Sequence, residues 1–227
     1  MEKKVGRICA EGFSLFGMTN RLISHELKNI LAIISETLGL IDELVSLSKT
    51  GMELEPGKLQ SLSESVIEEV ERANRIIRNM NTFAHSVDEF IREVDVNQIV
   101  KLMIDISQLD SAAKNVRLHL VENEACVIYT SPFFLEKLIY NLIQFSIRGA
   151  GPENEIRISF DSDDYGVKIT FAGIAPIIIG EFPTKKEDLL AEALSAEVLR
   201  DTATRELSVV LPKRISKSLI QNLLPED

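Results

Sequence analysis

The sequence predicts an α plus α/β protein, in which a long helical hairpin is followed by an α/β sandwich. Through roughly the first ninety residues, apolar side chains recur at spacings of three and four, the mark of amphipathic helix. One break interrupts them, where Gly51, Pro56 and Gly57 cluster. Beyond residue 94, short alternating runs interleave with helical ones, as in a mixed sheet covered by helices. An apolar content of 45% over 227 residues is enough for packed cores. The expected domains are 1–94 and 95–227.

The first helix is expected over Phe13 to Ser48, where no proline intervenes and Ile23, Leu27, Ile30, Leu31, Ile34, Leu38, Ile41 and Val45 form one stripe. KTGMELEPGK then supplies residues that turn a chain for steric reasons. The pattern restarts at Lys58 and continues through Leu59, Leu62, Val66, Val70, Ala73, Ile77, Met80, Ala84, Val87 and Ile91 to about Glu93. Each arm holds about 35 residues, or roughly 50 Å of helix. Two such helices bury only the seam between them, so a second copy is expected to complete a four-helix bundle, giving a homodimer.

In the second part, VDVNQIVKLMIDIS reads as helix, and NVRLHLVE and ACVIYT as strands. SPFFLEKLIYNLIQFSI reads as a helix with Ser131 as N-cap and Pro132 at its first position. EIRISFD and GVKITFAG flank a turn at 163–166 and predict a hairpin. A helix from Lys186 to Arg200, the strand ELSVVLP and a short amphipathic tail complete the expectation.

Charge and composition exclude several classes. A formal charge of -10, with no run of Lys or Arg, disfavours nucleic acid and anionic membrane as partners. Cys9 and Cys126 form no metal-ligand spacing and read as ordinary thiols of a reducing cytoplasm. The longest apolar stretch, FAGIAPIIIG, has about half the length of a membrane span, so a soluble, cytoplasmic protein is expected.

RLISHELKNILAIISETLGLI contains the chemistry. With Leu27 taken as zero, the apolar stripe spans roughly 60° to either side, while His25 lies about 160° away and Asn29 about 200°. Both are expected on one exposed face. An accessible neutral imidazole is a nucleophile that can take a phosphoryl group from a partner. Glu26 could fix its tautomer as a base, and Asn29, one turn on, could orient a water for hydrolysis. His85 and His119 have no carboxylate or cysteine at ligand spacing and read as structural. The mixed run from Glu64 to Arg78 reads as a solvated helix face. Ser24 lacks the surroundings of a hydrolase nucleophile.

Ser24-His25-Glu26-Leu27-Lys28-Asn29 resembles the H-box of the dimerisation and histidine-phosphotransfer domain of two-component sensor histidine kinases. The hairpin, ANRIIRNMNTFAHS, and the order of the later elements resemble that family too, over about residues 15 to 212. The resemblance implies a phospho-acceptor at His25 and an ATP-binding fold in the second domain. It also fails at three places. Where the family carries a second asparagine after Asn141, Phe145 stands. Phe171 occupies the position of the aspartate that reads adenine, and Gly173 alone survives of the glycines after it. GEFPTKKEDLL lacks the glycine-rich phosphate loop.

Asn141 and Gly173 are thus remnants of a nucleotide site, and ATP binding is expected to be lost. No sensor domain fits ahead of His25 within this chain. Together these point to a phosphorelay histidine phosphotransferase exchanging phosphoryl groups with aspartates of response-regulator receiver domains, possible upstream donors including a hybrid histidine kinase. No cofactor or metal is expected on the chain itself, because Mg2+ would sit in the receiver's acidic site. Two alternatives remain: a divergent kinase that autophosphorylates His25 from ATP, and a phosphatase or non-catalytic scaffold for response regulators.

Overall fold

The computed structural model describes residues 2–51, 53, 55–121 and 125–215. Residues 216–227, the bulk of the C-terminal tail expected after SVVLP, and the Cys9 side chain lie outside the described residues. Packing divides the chain into two units, Phe16–Ala84, and His85–Asp227 together with Met1–Leu15. Among the described residues, no helix is long and apolar enough to cross a membrane.

The helical unit is built from α1 (Glu2–Ser48) and α2 (Pro56–Ala84). Amides of Thr50 and Gly51 bond back to the carbonyls of Leu47 and Ser48, and Gly51 takes a φ of 94°, a conformation open to glycine at no steric cost. Ile23, Glu26, Ile30 and Thr37 are buried and Ile34 and Ile41 half-buried, which fixes the seam face of α1. That face is centred about 60° from Leu27 at 100° per residue. Leu31 and Leu38, expected in the seam, are therefore exposed, at 61% and 51%. On α2, Val70 and Ile77, expected in the apolar stripe, are exposed as well, as is Ile67. Glu69 and Arg72, expected on the solvated face, are half-buried in the seam.

Helix α2 stops at Ala84, well before the expected Glu93. Its apolar spacing continues through Val87, but Val87 is exposed, and Ser86 is buried instead. A 3-10 turn, His85–Val87, ends the helix, and Arg92–Asp95 forms strand β1. The partner of β1 is β3 (Val127–Thr130), antiparallel and distant in sequence.

In the second unit, Asp95 caps α3 (Val96–Ala113) by accepting from the Asn97 amide at 3.0 Å. Strand β2 (Arg117–Leu120) precedes β3, and α4 (Pro132–Arg148) follows it. Pro132 opens α4 as expected, but the Ser131 hydroxyl makes no cap bond. The hairpin of β4 (Glu155–Ser162) and β5 (Gly166–Ala172) turns on Asp163, whose Oδ1 accepts the amides of Tyr165 and Gly166 at 2.8 Å. Those amides hold its carboxyl below its ordinary value. The one-turn helix α5 (Pro176–Ile179) leads to α6 (Lys185–Leu194), β6 (Glu197–Asp201) and β7 (Glu206–Pro212).

Sheet order is β2-β4-β5-β7-β6, with β2 parallel to β4 and all other pairs antiparallel. Ile156, Ile158 and Phe160 are buried on β4 while Arg157 and Asp161, on the opposite face, are exposed, so one face is packed and the other wet. Helices α3, α4 and α6 lie side by side on the packed face. This is the expected α/β sandwich. The helix expected through Arg200 ends instead at Leu194, where Ser195 turns left-handed at φ 53° and Glu197–Asp201 joins β7 as the edge strand.

Candidate functional site

His25 is exposed on α1, and its Nδ1 lies 3.3 Å from the Asn29 amide nitrogen. The two side chains share one open helix face, one turn apart. An amide nitrogen can only donate, so in this arrangement Nδ1 is the acceptor and the ring's proton sits on Nε2. Turning the amide by half a rotation would present Oδ1 to an Nδ1 proton and leave the Nε2 lone pair facing water.

Glu26 is placed differently from expectation. It is only 5% exposed, and its carboxylate is bound by Arg72 Nη2 across the seam. Arg72 also lies 3.4 Å from Glu69 on its own helix. The heptad-like seam takes the residue next to His25 as one of its buried positions, so the carboxylate is committed to α2 and not to the imidazole. Arg72 was missed because its partner is 46 residues away in sequence.

The residues expected to be remnants of a nucleotide site lie in the second unit. Asn141 donates to Glu187 Oε1 at 2.7 Å. Glu187 is itself buried, and its other oxygen accepts the Thr184 amide at 3.0 Å in the capping box that starts α6. Phe145 is buried with its ring 5.0 Å from that of Phe182. Phe171 is fully buried, paired in register with Ile158 and Leu207. Ile179, Leu190 and Leu194 are buried around the same helices.

Gly173 has a structural requirement of its own. Its φ is 100°, and a Cβ there would come within 2.2 Å of the Glu155 carbonyl. Its carbonyl accepts from Gly151 N at 2.9 Å and from Arg205 at 3.2 Å. Backbone packing alone therefore demands glycine at this position.

The other singled-out groups divide. His85, read as lacking a carboxylate, has Asp88 Oδ2 at 2.6 Å from Nδ1, both side chains being exposed. His119 is exposed on edge strand β2, opposite Arg157. Cys126 is buried, and burial pushes its thiol up, away from the reactive thiolate. Among the described residues, no group of three or more His, Cys, Asp or Glu is arranged to hold a metal.

Neither a protein-family profile nor a curated protein matches the chain. Several solved structures are similar to it. The nucleotide-free catalytic domain of histidine kinase ThkA shares 16% identity over 56% of this chain and 99% of its own, at a TM-score of 0.45. Histidine kinase AdeS of Acinetobacter baumannii shares 15% over 83% of this chain and 98% of its own, at 0.43. ThkA in complex with response regulator protein TrrA shares 16% over 88% of this chain and 63% of its own, at 0.45.

Proposed function

We propose that this chain is a two-component histidine phosphotransferase in which His25 accepts and returns phosphoryl groups from aspartates of response-regulator receiver domains. The observation that carries the reading is the exposed His25 and Asn29 pair on a helical hairpin, with Nδ1 3.3 Å from the Asn29 amide. An imidazole nitrogen attacks the phosphorus of the receiver's aspartyl phosphate, the P–N bond forms, and the P–O bond to the aspartate breaks to release a carboxylate. The ring's proton on the other nitrogen leaves a cationic phosphoimidazole until it is shed to water. Asn29 sets the tautomer and, on the same face, tunes hydrolysis of the product. Any Mg2+ is held by the receiver, and an upstream hybrid histidine kinase is a fitting source of the phosphoryl group.

The hairpin works as a homodimeric four-helix bundle. Leu31 and Leu38 on α1 and Ile67, Val70 and Ile77 on α2 are exposed apolar side chains of one hairpin, and a second copy covers them. The α/β domain does not use ATP. What supports this is that Asn141 is tied to Glu187, and Phe145, Phe171 and Phe182 fill the packed layer with their rings. A phenyl ring cannot accept the hydrogen bond of an adenine amino group.

The test is to offer a phosphorylated receiver domain to the purified protein. Label moving to the chain, and failing to move to His25→Gln, is the expected result. Binding without transfer leaves only a scaffold, and loss of receiver label with none on the chain marks a phosphatase.

A further inference from the structure

His85 and Asp88 form a pair that the phosphotransfer reading leaves unused. They stand at the start of the connector from α2 to β1, with His85 Nδ1 2.6 Å from Asp88 Oδ2. Their side chains are 74% and 62% exposed, so the pair is open to water and to small molecules dissolved in it. A carboxylate can only accept, so Nδ1 holds the proton and, in the neutral ring, Nε2 carries the lone pair. At His25 the tautomer follows the orientation of the Asn29 amide, and the neighbouring carboxylate is bound to Arg72. Of these two imidazoles, His85 is therefore the one whose tautomer a carboxylate fixes.

The chain around the pair is anchored. The Asp88 amide donates to the His85 carbonyl at 3.4 Å and closes the turn. Ser86, between them, is buried, and Phe90, two residues on, sets its ring edge-on to Phe134 at 5.3 Å between centroids. Both side chains of the pair are short, so little rotamer freedom is lost in keeping them together. Glu89 is exposed next to Asp88 and adds a second negative charge, so the local field does not draw anions in. Whatever advantage His85 has as a nucleophile thus lies in its nitrogen, and it favours a donor of low net charge.

We propose that His85 is a second phosphoryl-accepting histidine, reactive at Nε2 toward low-molecular-weight phosphoramidates, with Asp88 as its positioning residue. Nε2 attacks the phosphorus of the zwitterionic donor, a new P–N bond forms, and the P–N bond to the donor's ammonium nitrogen breaks to release ammonia. Asp88 balances the positive charge that develops on the ring, and the Nδ1 proton is then shed to water. The carboxylate acts through the imidazole and touches neither donor nor leaving group. No step uses His25, so the site stands or falls separately from the phosphorelay.

Treatment of the full chain with phosphoramidate near neutral pH, followed by mass spectrometry resolved by site, tests it. His119, exposed on β2 opposite Arg157, is the internal reference. Every rate at His85 is taken relative to His119 in the same sample, which removes any change common to the whole chain. His85 is expected to take phosphate about tenfold or more faster than His119. Its initial product is expected to carry the phosphate on Nε2, read by heteronuclear NMR. Asp88→Ala, a substitution at an exposed position, is expected to bring His85 down to the rate of His119. His85 reacting no faster than His119, Asp88→Ala leaving the ratio at its wild-type value, or an initial product phosphorylated on Nδ1 would overturn the proposal.

Discussion

Replacing Arg72 by Met tests the placement of Glu26 directly. The substitution leaves a carboxylate that is 5% exposed without its guanidinium partner. Breaking a fully buried pair costs about 3–5 kcal/mol, and an exposed pair is worth about 0–1 kcal/mol. The Arg72 side chain is 41% exposed, so solvent already screens much of the interaction. The expected loss therefore lies between these limits, at about 1–2 kcal/mol. Replacing Glu26 by Met as well removes the orphaned charge from an apolar seam, and the double variant should recover about 1 kcal/mol of the summed losses. Urea unfolding followed by far-ultraviolet circular dichroism, at one protein concentration throughout, gives all four values. An Arg72→Met variant within about 0.3 kcal/mol of wild type, or losses that simply add, would refute the pairing.

Other outcomes follow from the same geometry. Because the Glu26 carboxylate is committed to Arg72, Glu26→Gln should change the rate of phosphoryl acceptance at His25 by less than about tenfold; a general base would be worth about a hundredfold or more in a transfer assay. Phe182→Ala empties a fully packed site beside Phe145 and should destabilise the α/β domain by about 3–5 kcal/mol in thermal or urea unfolding. Leu38→Glu places a charge in the expected dimer face, and light scattering should show a monomer where the wild type is a dimer.

The fold was readable where local pattern and tertiary contact agree. Both helices of the hairpin, the turn at Gly51, the β4–β5 hairpin and helix α4 with Pro132 at its start all follow from periodicity and turn chemistry. Misplaced boundaries came from non-local pairing. Val87 and Ile91 keep the helical spacing of α2, yet β1 forms because β3 offers it a partner more than thirty residues on. Residues up to Arg200 continue the pattern of α6, but β7 recruits Glu197–Asp201 as an edge strand.

The site was legible in part for a related reason. An angular plot placed His25 and Asn29 on open surface without knowledge of the partner helix, since both lie on the side of α1 opposite its apolar stripe. It could not place Glu26, because the seam is centred about 60° from the residue chosen as its middle. Glu26–Arg72 and Asn141–Glu187 each join residues 46 positions apart, so no local spacing marks them.

The central claim is that His25 draws its phosphoryl group from another protein and not from ATP. Purified full-length protein incubated with ATP and magnesium, and in parallel with phosphorylated receiver domains, can be read by mass spectrometry for phosphohistidine at position 25. The account predicts modification from a receiver and none from ATP. Modification of His25 by ATP in the isolated protein would contradict it.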